Sequence, residues 1–154
     1  MRIPAVLSLP LALTALFAAA MPASASPKAC DLLNAQAAAS LVGGPVQAPI
    51  DMGGVICGYS AQSGDNRAGL TITGPPPAGV NLKNSIGRAV DKGNTFEVIP
   101  GLGEQAVLLV KDGHDAGMTV IYGQKFLILT VERPMTPALK SAMIQTMKQI
   151  ISKL

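Results

Sequence analysis

The single histidine of the chain, His114, stands between Asp112 and Asp115 in the stretch Lys111-Asp112-Gly113-His114-Asp115-Ala116-Gly117. Imidazole and carboxylate groups bind divalent cations and activate water, so a small metal-dependent hydrolase would place its centre here. Such a centre needs convergent ligands oriented by a supporting shell, and a Gly-rich loop tip offers three candidates with no such support. The stretch therefore reads first as a solvated loop, and no metal is expected. His114 is equally short of partners for a nucleophilic triad, because no Gly-x-Ser-x-Gly elbow exists and neither cysteine is expected to be free.

Gly101-Leu102-Gly103-Glu104-Gln105-Ala106 matches the letters of a dinucleotide-binding turn, which works by opening a helix onto pyrophosphate. The strand-like run Val107-Leu108-Leu109-Val110 follows instead, so the segment reads as a strand-to-strand turn without a cofactor. Paired carboxylates for glycan hydrolysis must lie about 5 Å apart beside a cleft. Here the acidic residues fall mostly in loops or at element ends. After the first 25 residues the aromatic supply is Tyr59, Phe96, Tyr122 and Phe126 without tryptophan, too thin for stacking sugars or single-stranded nucleic acid.

Cys30 and Cys57 are the only cysteines. The chain opens Met1-Arg2, continues through an apolar stretch from Ile3 to Met21 and reaches Ala23-Ser24-Ala25, the charged start, apolar centre and small-x-small site of a secretory signal peptide. Pro4 and Pro10 interrupt the stretch and argue against a stable membrane anchor, and Lys28 stands where lipid attachment at Cys30 would want a small or apolar residue. Residues 1–25 are thus expected to be a cleaved signal, leaving residues 26–154 as one domain, periplasmic or secreted. In that oxidising setting a Cys30–Cys57 disulfide is the default, tying the N-terminal segment to a strand. Removing Arg2 with the signal lowers the net charge from +3 to +2, and the basic residues are dispersed, so nucleic acid is not an expected partner.

Several elements must position these residues. Asn34 caps a short Ala-rich helix, Ala35 to Val42, stopped by Gly43-Gly44. Pro45 to Ile50 reads as a brief strand. Val55–Ser60 and Ala68–Thr73 read as strands, with Leu70 and Ile72 on one face and Thr71 and Thr73 on the other, so one face of the sheet is expected to be wet. Pro75-Pro76-Pro77 is a stiff connector. Leu82, Ile86, Ala89 and Val90 line one side of a helix ending at Gly93-Asn94. Phe96 and Val98 alternate in a strand, and Met118–Tyr122 and Lys125–Val131 flank Gly123-Gln124 as a type II′ hairpin. Thr136 caps a C-terminal helix whose apolar stripe is Leu139, Met143, Met147, Ile150 and Leu154, widened by Ile144 and Ile151. The expectation is α+β: a single antiparallel sheet of about six strands with helices mainly on one face, in what can be two similar α/β halves.

Cys30-Asp31-Leu32-Leu33-Asn34 leading into the Ala-rich helix, Cys57-Gly58-Tyr59, and Pro100-Gly101-Leu102-Gly103-Glu104-Gln105-Ala106 together resemble small bacterial exported proteins and lipoproteins of a domain-of-unknown-function family. That resemblance implies a Cys30–Cys57 disulfide and an α+β domain with no established catalytic site. Two departures are Ala37, where many relatives carry an acidic residue, and the absence of their lipid-attachment cysteine.

The expected function is a non-enzymatic periplasmic module that binds a protein or small envelope ligand. Its contact positions would be Gly101, Leu102, Gly103 and Glu104 on one loop and Asp112, His114 and Asp115 on the other. An inhibitor or immunity protein is one form of this, a structural envelope accessory another, and the metal-dependent hydrolase is the alternative from a different class.

Overall fold

The computed structural model describes residues 26–85 and 94–154. The signal-peptide expectation on residues 1–25 lies outside the described residues, as does most of the helix expected from Leu82 to Val90. Of that helix only a 3-10 turn, Leu82–Ser85, is seen.

Seven strands form one antiparallel sheet: β1 (Ile50–Met52), β2 (Ile56–Ser60), β3 (Arg67–Thr73), β4 (Thr95–Val98), β5 (Gln105–Lys111), β6 (Asp115–Tyr122) and β7 (Lys125–Glu132). Their spatial order is β1-β2-β3-β7-β6-β5-β4, so two meanders each run from an outer edge to the centre and meet at β3 and β7. The count is seven against the expected six or so. The brief strand expected over Pro45 to Ile50 is displaced: β1 begins at Ile50, and the earlier residues contribute only a bridge between Val46 and Ala61.

Helices α1 (Ala29–Leu32), α2 (Ala35–Val42) and α3 (Pro137–Ile151) complete the domain. The Asn34 side chain accepts from the Ala37 N–H at 2.9 Å, satisfying a donor that the first turn of α2 cannot use internally. Gly43 ends α2 at φ +83°, a left-handed conformation that glycine adopts at little cost. Thr136 caps α3 through Leu139 N–H at 3.1 Å, with Pro137 in the first turn.

Alternation in the strands decides the core, broken at Val107 and Ile121, which are buried in a second cluster on the opposite face. Cys57, Leu70, Leu129, Met118 and Leu108 lie side by side across five strands. They share one buried cluster with Leu41 and Val42 of α2 and Leu139, Met143, Met147 and Ile150 of α3. Each such aliphatic side chain contributes roughly 1.5–3 kcal/mol by leaving water. Leu154, expected in the α3 stripe, is 36% exposed because α3 ends at Ile151 and the chain leaves the sheet. At the far end of the same row, Glu97 of β4 meets Lys140 of α3 at 2.6 Å, which places α3 over the β4 side. The disulfide joins Cys30 of α1 to Cys57 of β2, and Ala29 N–H donates to Gly54 O at 2.7 Å, so the N-terminal turn is clamped to the sheet.

Candidate functional site: the open face of the sheet

The two loops singled out in the sequence sit at opposite ends of β5. Six residue steps separate Gln105 from Lys111, which at about 3.3 Å per residue puts the loops roughly 20 Å apart. They do not form one site.

The Gly101–Glu104 loop is engaged with its own fold. Leu102 is buried in the core, a Cβ on Gly103 would lie 2.5 Å from Ile121 O, and Glu104 accepts from Gly123 N–H at 3.1 Å. These contacts tie the β4–β5 connection to the β6–β7 hairpin. There Gly123 has φ +54° while Gln124 does not take positive φ, as a type II′ turn requires.

The loop expected over Lys111 to Gly117 is shorter than the sequence suggested. Lys111 closes β5, Asp115 opens β6, and only Asp112-Gly113-His114 turns. Asp112 and Gly113 take φ +49° and +72°, the pair of left-handed residues that an Asp-Gly type I′ turn demands, and His114 N–H donates to Lys111 O at 3.0 Å. The Gly113 and His114 carbonyls accept from Met135 and Arg133 N–H groups, so the turn is docked on the β7–α3 link. Asp115 is drawn into the sheet opposite Glu132 and Lys111. Among the described residues no group of three His, Cys, Asp or Glu side chains is arranged to hold a metal ion.

The face of the sheet turned away from the helices carries a feature that the sequence reading did not isolate. Register places Ile50, Gly58, Gly69, Thr130, Gly117, Leu109 and Phe96 side by side, one from each strand. Three of four consecutive positions in the middle are glycine. The bare stretch from Gly58 to Gly117 crosses three strand spacings, roughly 14 Å. Gly58, Gly69 and Thr130 floor a shallow depression of about 410 Å³, with Ile50 on one side and Arg67 and Glu132 on another.

None of these three glycines is held by backbone conformation, because none has positive φ. A Cβ at Gly58 or Gly117 would meet nothing within 4 Å among the described residues, and one at Gly69 would come 3.1 Å from Thr130 Oγ1. Glycine inside a strand loses more chain entropy than alanine and gives up side-chain packing, at about 0.5–1 kcal/mol each. At Gly58 and Gly117 the missing side chain is therefore a cost that the strands themselves do not require, whereas a Cβ at Gly69 would crowd the Thr130 hydroxyl that donates to Gly69 O.

Apolar and charged borders flank it. Ile50 and Met52 on edge strand β1 are 61% and 54% exposed, and they share this face with Ile56 and Thr71. One row further along, Arg67, Glu132, Asp115 and Lys111 stand in sequence across β3, β7, β6 and β5, with Arg67 and Glu132 4.0 Å apart. Leu82, Val107 and Ile121, with Val80, Phe96 and Phe126, make a small second cluster near the other end of the face. Tyr59 points the opposite way, into the main core, and its burial pushes the phenol above its ordinary pKa.

Isolated glycines in Val55–Ser60 and Ala68–Thr73 were visible in the sequence, and a glycine within a strand pattern marks a close approach by a ligand or another backbone. What no strand shows alone is that pairing aligns them. Gly117 was hidden further, since it was assigned to a loop. Comparison with protein-family models, with curated proteins and with solved structures finds no match to this chain.

Proposed function

We propose that this chain is an exported, non-enzymatic binding module whose contact surface is the open face of its sheet, and that its partner is a protein of the cell envelope. The observation carrying this reading is the row Gly58-Gly69-Thr130-Gly117, in which a Cβ at Gly58 or Gly117 would meet nothing within 4 Å among the described residues and is nevertheless missing. Bare backbone lets a partner's main chain or a flat surface approach closely. Exposed Ile50 and Met52 add apolar area beside it, and the Arg67, Glu132, Asp115 and Lys111 row supplies a polar border. Export is supported by the signal-like N-terminus and fits the disulfide. The resemblance to small exported proteins points the same way. This reading moves the contact positions from the Gly101–Glu104 and Asp112–Asp115 loops to the sheet face between them.

The test is capture from periplasmic extract of the source organism, with oxidised residues 26–154 as bait and Gly117→Arg as the matched variant. One protein recovered in near-equal amount by the wild type and lost with Gly117→Arg supports the reading. A partner retained by the variant, or none captured by well-folded wild type, overturns it.

A further inference from the structure

On the other side of the molecule, α2 and α3 leave between them a groove of about 310 Å³ lined by Asn34, Gln36, Ser40, Gln145, Thr146 and Gln149, with Ala37 and Ala142 at its sides. Its chemistry is uniform: primary amides and hydroxyls, with no charged and no aromatic side chain. Gln36, Gln145 and Gln149 make no side-chain hydrogen bond within the described residues, and the Asn34 amide uses only its oxygen, on Ala37 N–H.

Thr146 is the decisive residue. It is 5% exposed, the one polar side chain counted with the buried core among the described residues. A threonine within a helix commonly returns its hydroxyl to the carbonyl four residues back, as Ser40 does to Gln36 and Ser141 does to Pro137. Thr146 makes no such bond, and its oxygen is not among the atoms sealed away without a partner. The hydroxyl thus opens onto the groove with its hydrogen-bonding capacity unused. Valine has the same shape and would fill the site without a polar group that needs a partner.

Spacing identifies what the groove fits. Gln145 and Gln149 are four residues apart on α3, a separation of about 6 Å along the axis. An extended polypeptide presents equivalent N–H and C=O groups every second residue, about 6.8 Å. A primary amide sets a donor beside an acceptor, the complement of a main-chain N–H and C=O pair. The small Ala37 and Ala142 side chains let such a strand come close, and the absence of charge matches a neutral main chain. A sugar would find hydroxyl-binding groups here but no aromatic face to lie on.

We propose that the α2–α3 groove binds an uncharged, extended peptide segment through its main chain, with Gln145 and Gln149 reading successive amide pairs and Thr146 supplying a bond from the floor. This site is separate from the sheet face and does not depend on it.

The experiment is a nitrogen-15 NMR titration of oxidised residues 26–154 with acetyl-Ser-Thr-Ser-Val-Ser-Thr-amide, and in parallel with maltohexaose. Saturable shifts of the Gln36, Gln145 and Gln149 side-chain amides are expected with the peptide and not with the saccharide. The Gln145→Ala/Gln149→Ala double variant should weaken binding at least tenfold. Thr146→Val should weaken it about threefold while melting no lower than the wild type. An N-methylated peptide of the same sequence should not bind, since it lacks the main-chain donors. No shift at these amides, unchanged affinity in the variants, a response to maltohexaose instead, or equal binding of the N-methylated peptide would each overturn the proposal.

Discussion

Replacing Gly117 by valine should make the protein more stable. The position lies inside β6 with ordinary φ, and a Cβ there meets nothing within 4 Å among the described residues, so no strain offsets the gain. Relieving the glycine entropy contributes about 0.5–1 kcal/mol. A β-branched side chain between Thr130 and Leu109 adds a fraction of the roughly 1 kcal/mol span of strand preferences. The sum, about 1 kcal/mol, should raise Tm by roughly 3–5 °C in a domain of this size. Gly103→Ala is the opposing control: φ is +65° and the added Cβ would stand 2.5 Å from Ile121 O, so backbone must move and the loss should exceed about 2 kcal/mol. Both variants can be compared by urea unfolding and thermal circular dichroism under oxidising conditions. A stabilised Gly117→Val that also loses the envelope partner would identify the glycine as retained for contact at the expense of stability. A destabilised Gly117→Val would refute the reasoning, because the glycine would then be structural and the bare row would carry no functional meaning.

Breaking the Cys30–Cys57 bond by Cys57→Ser opens a loop of 27 residues, for which chain entropy gives about 3.5 kcal/mol; coincident urea midpoints for oxidised wild type and variant would contradict this. Removing either cap, by Asn34→Ala or Thr136→Ala, should lower stability by about 1 kcal/mol, read as a shift in urea midpoint with unchanged slope. Because the folded state raises the Tyr59 phenol pKa, the unfolded chain ionises it first, so stability is intact below about pH 10 and falls as pH rises beyond. Tyr59→Phe should flatten that alkaline decline in Tm, and an identical decline in the variant would assign it to other groups.

Local chemistry was legible wherever one residue type settles one conformation. Asn34 and Gly43 bracket α2, Thr136 and Pro137 open α3, and Gly123 turns β6 into β7, because caps and tight turns are decided within four or five residues. The period-two alternation of Leu70 and Ile72 likewise announced which side of β3 is buried. The Asp112–His114 turn was not legible at its true length, because the polar run from Lys111 to Gly117 reads as loop until Glu132 of β7 is known to stand opposite Asp115.

The sequence by itself determined the helix caps, the alternation of the inner strands, the pairing available to two cysteines, and the scarcity of charged and aromatic side chains. Tertiary structure alone decided that the two suspected loops lie at opposite ends of β5, that Leu102 and Glu104 serve the fold, and that Gly58, Gly69 and Gly117 share one row. It also brought Asn34 and Gln36 within one groove of Gln145, Thr146 and Gln149, more than a hundred positions along the chain. The reason is physical: a cap or turn is fixed by neighbours in sequence, whereas register and helix packing join residues whose separation no local pattern encodes.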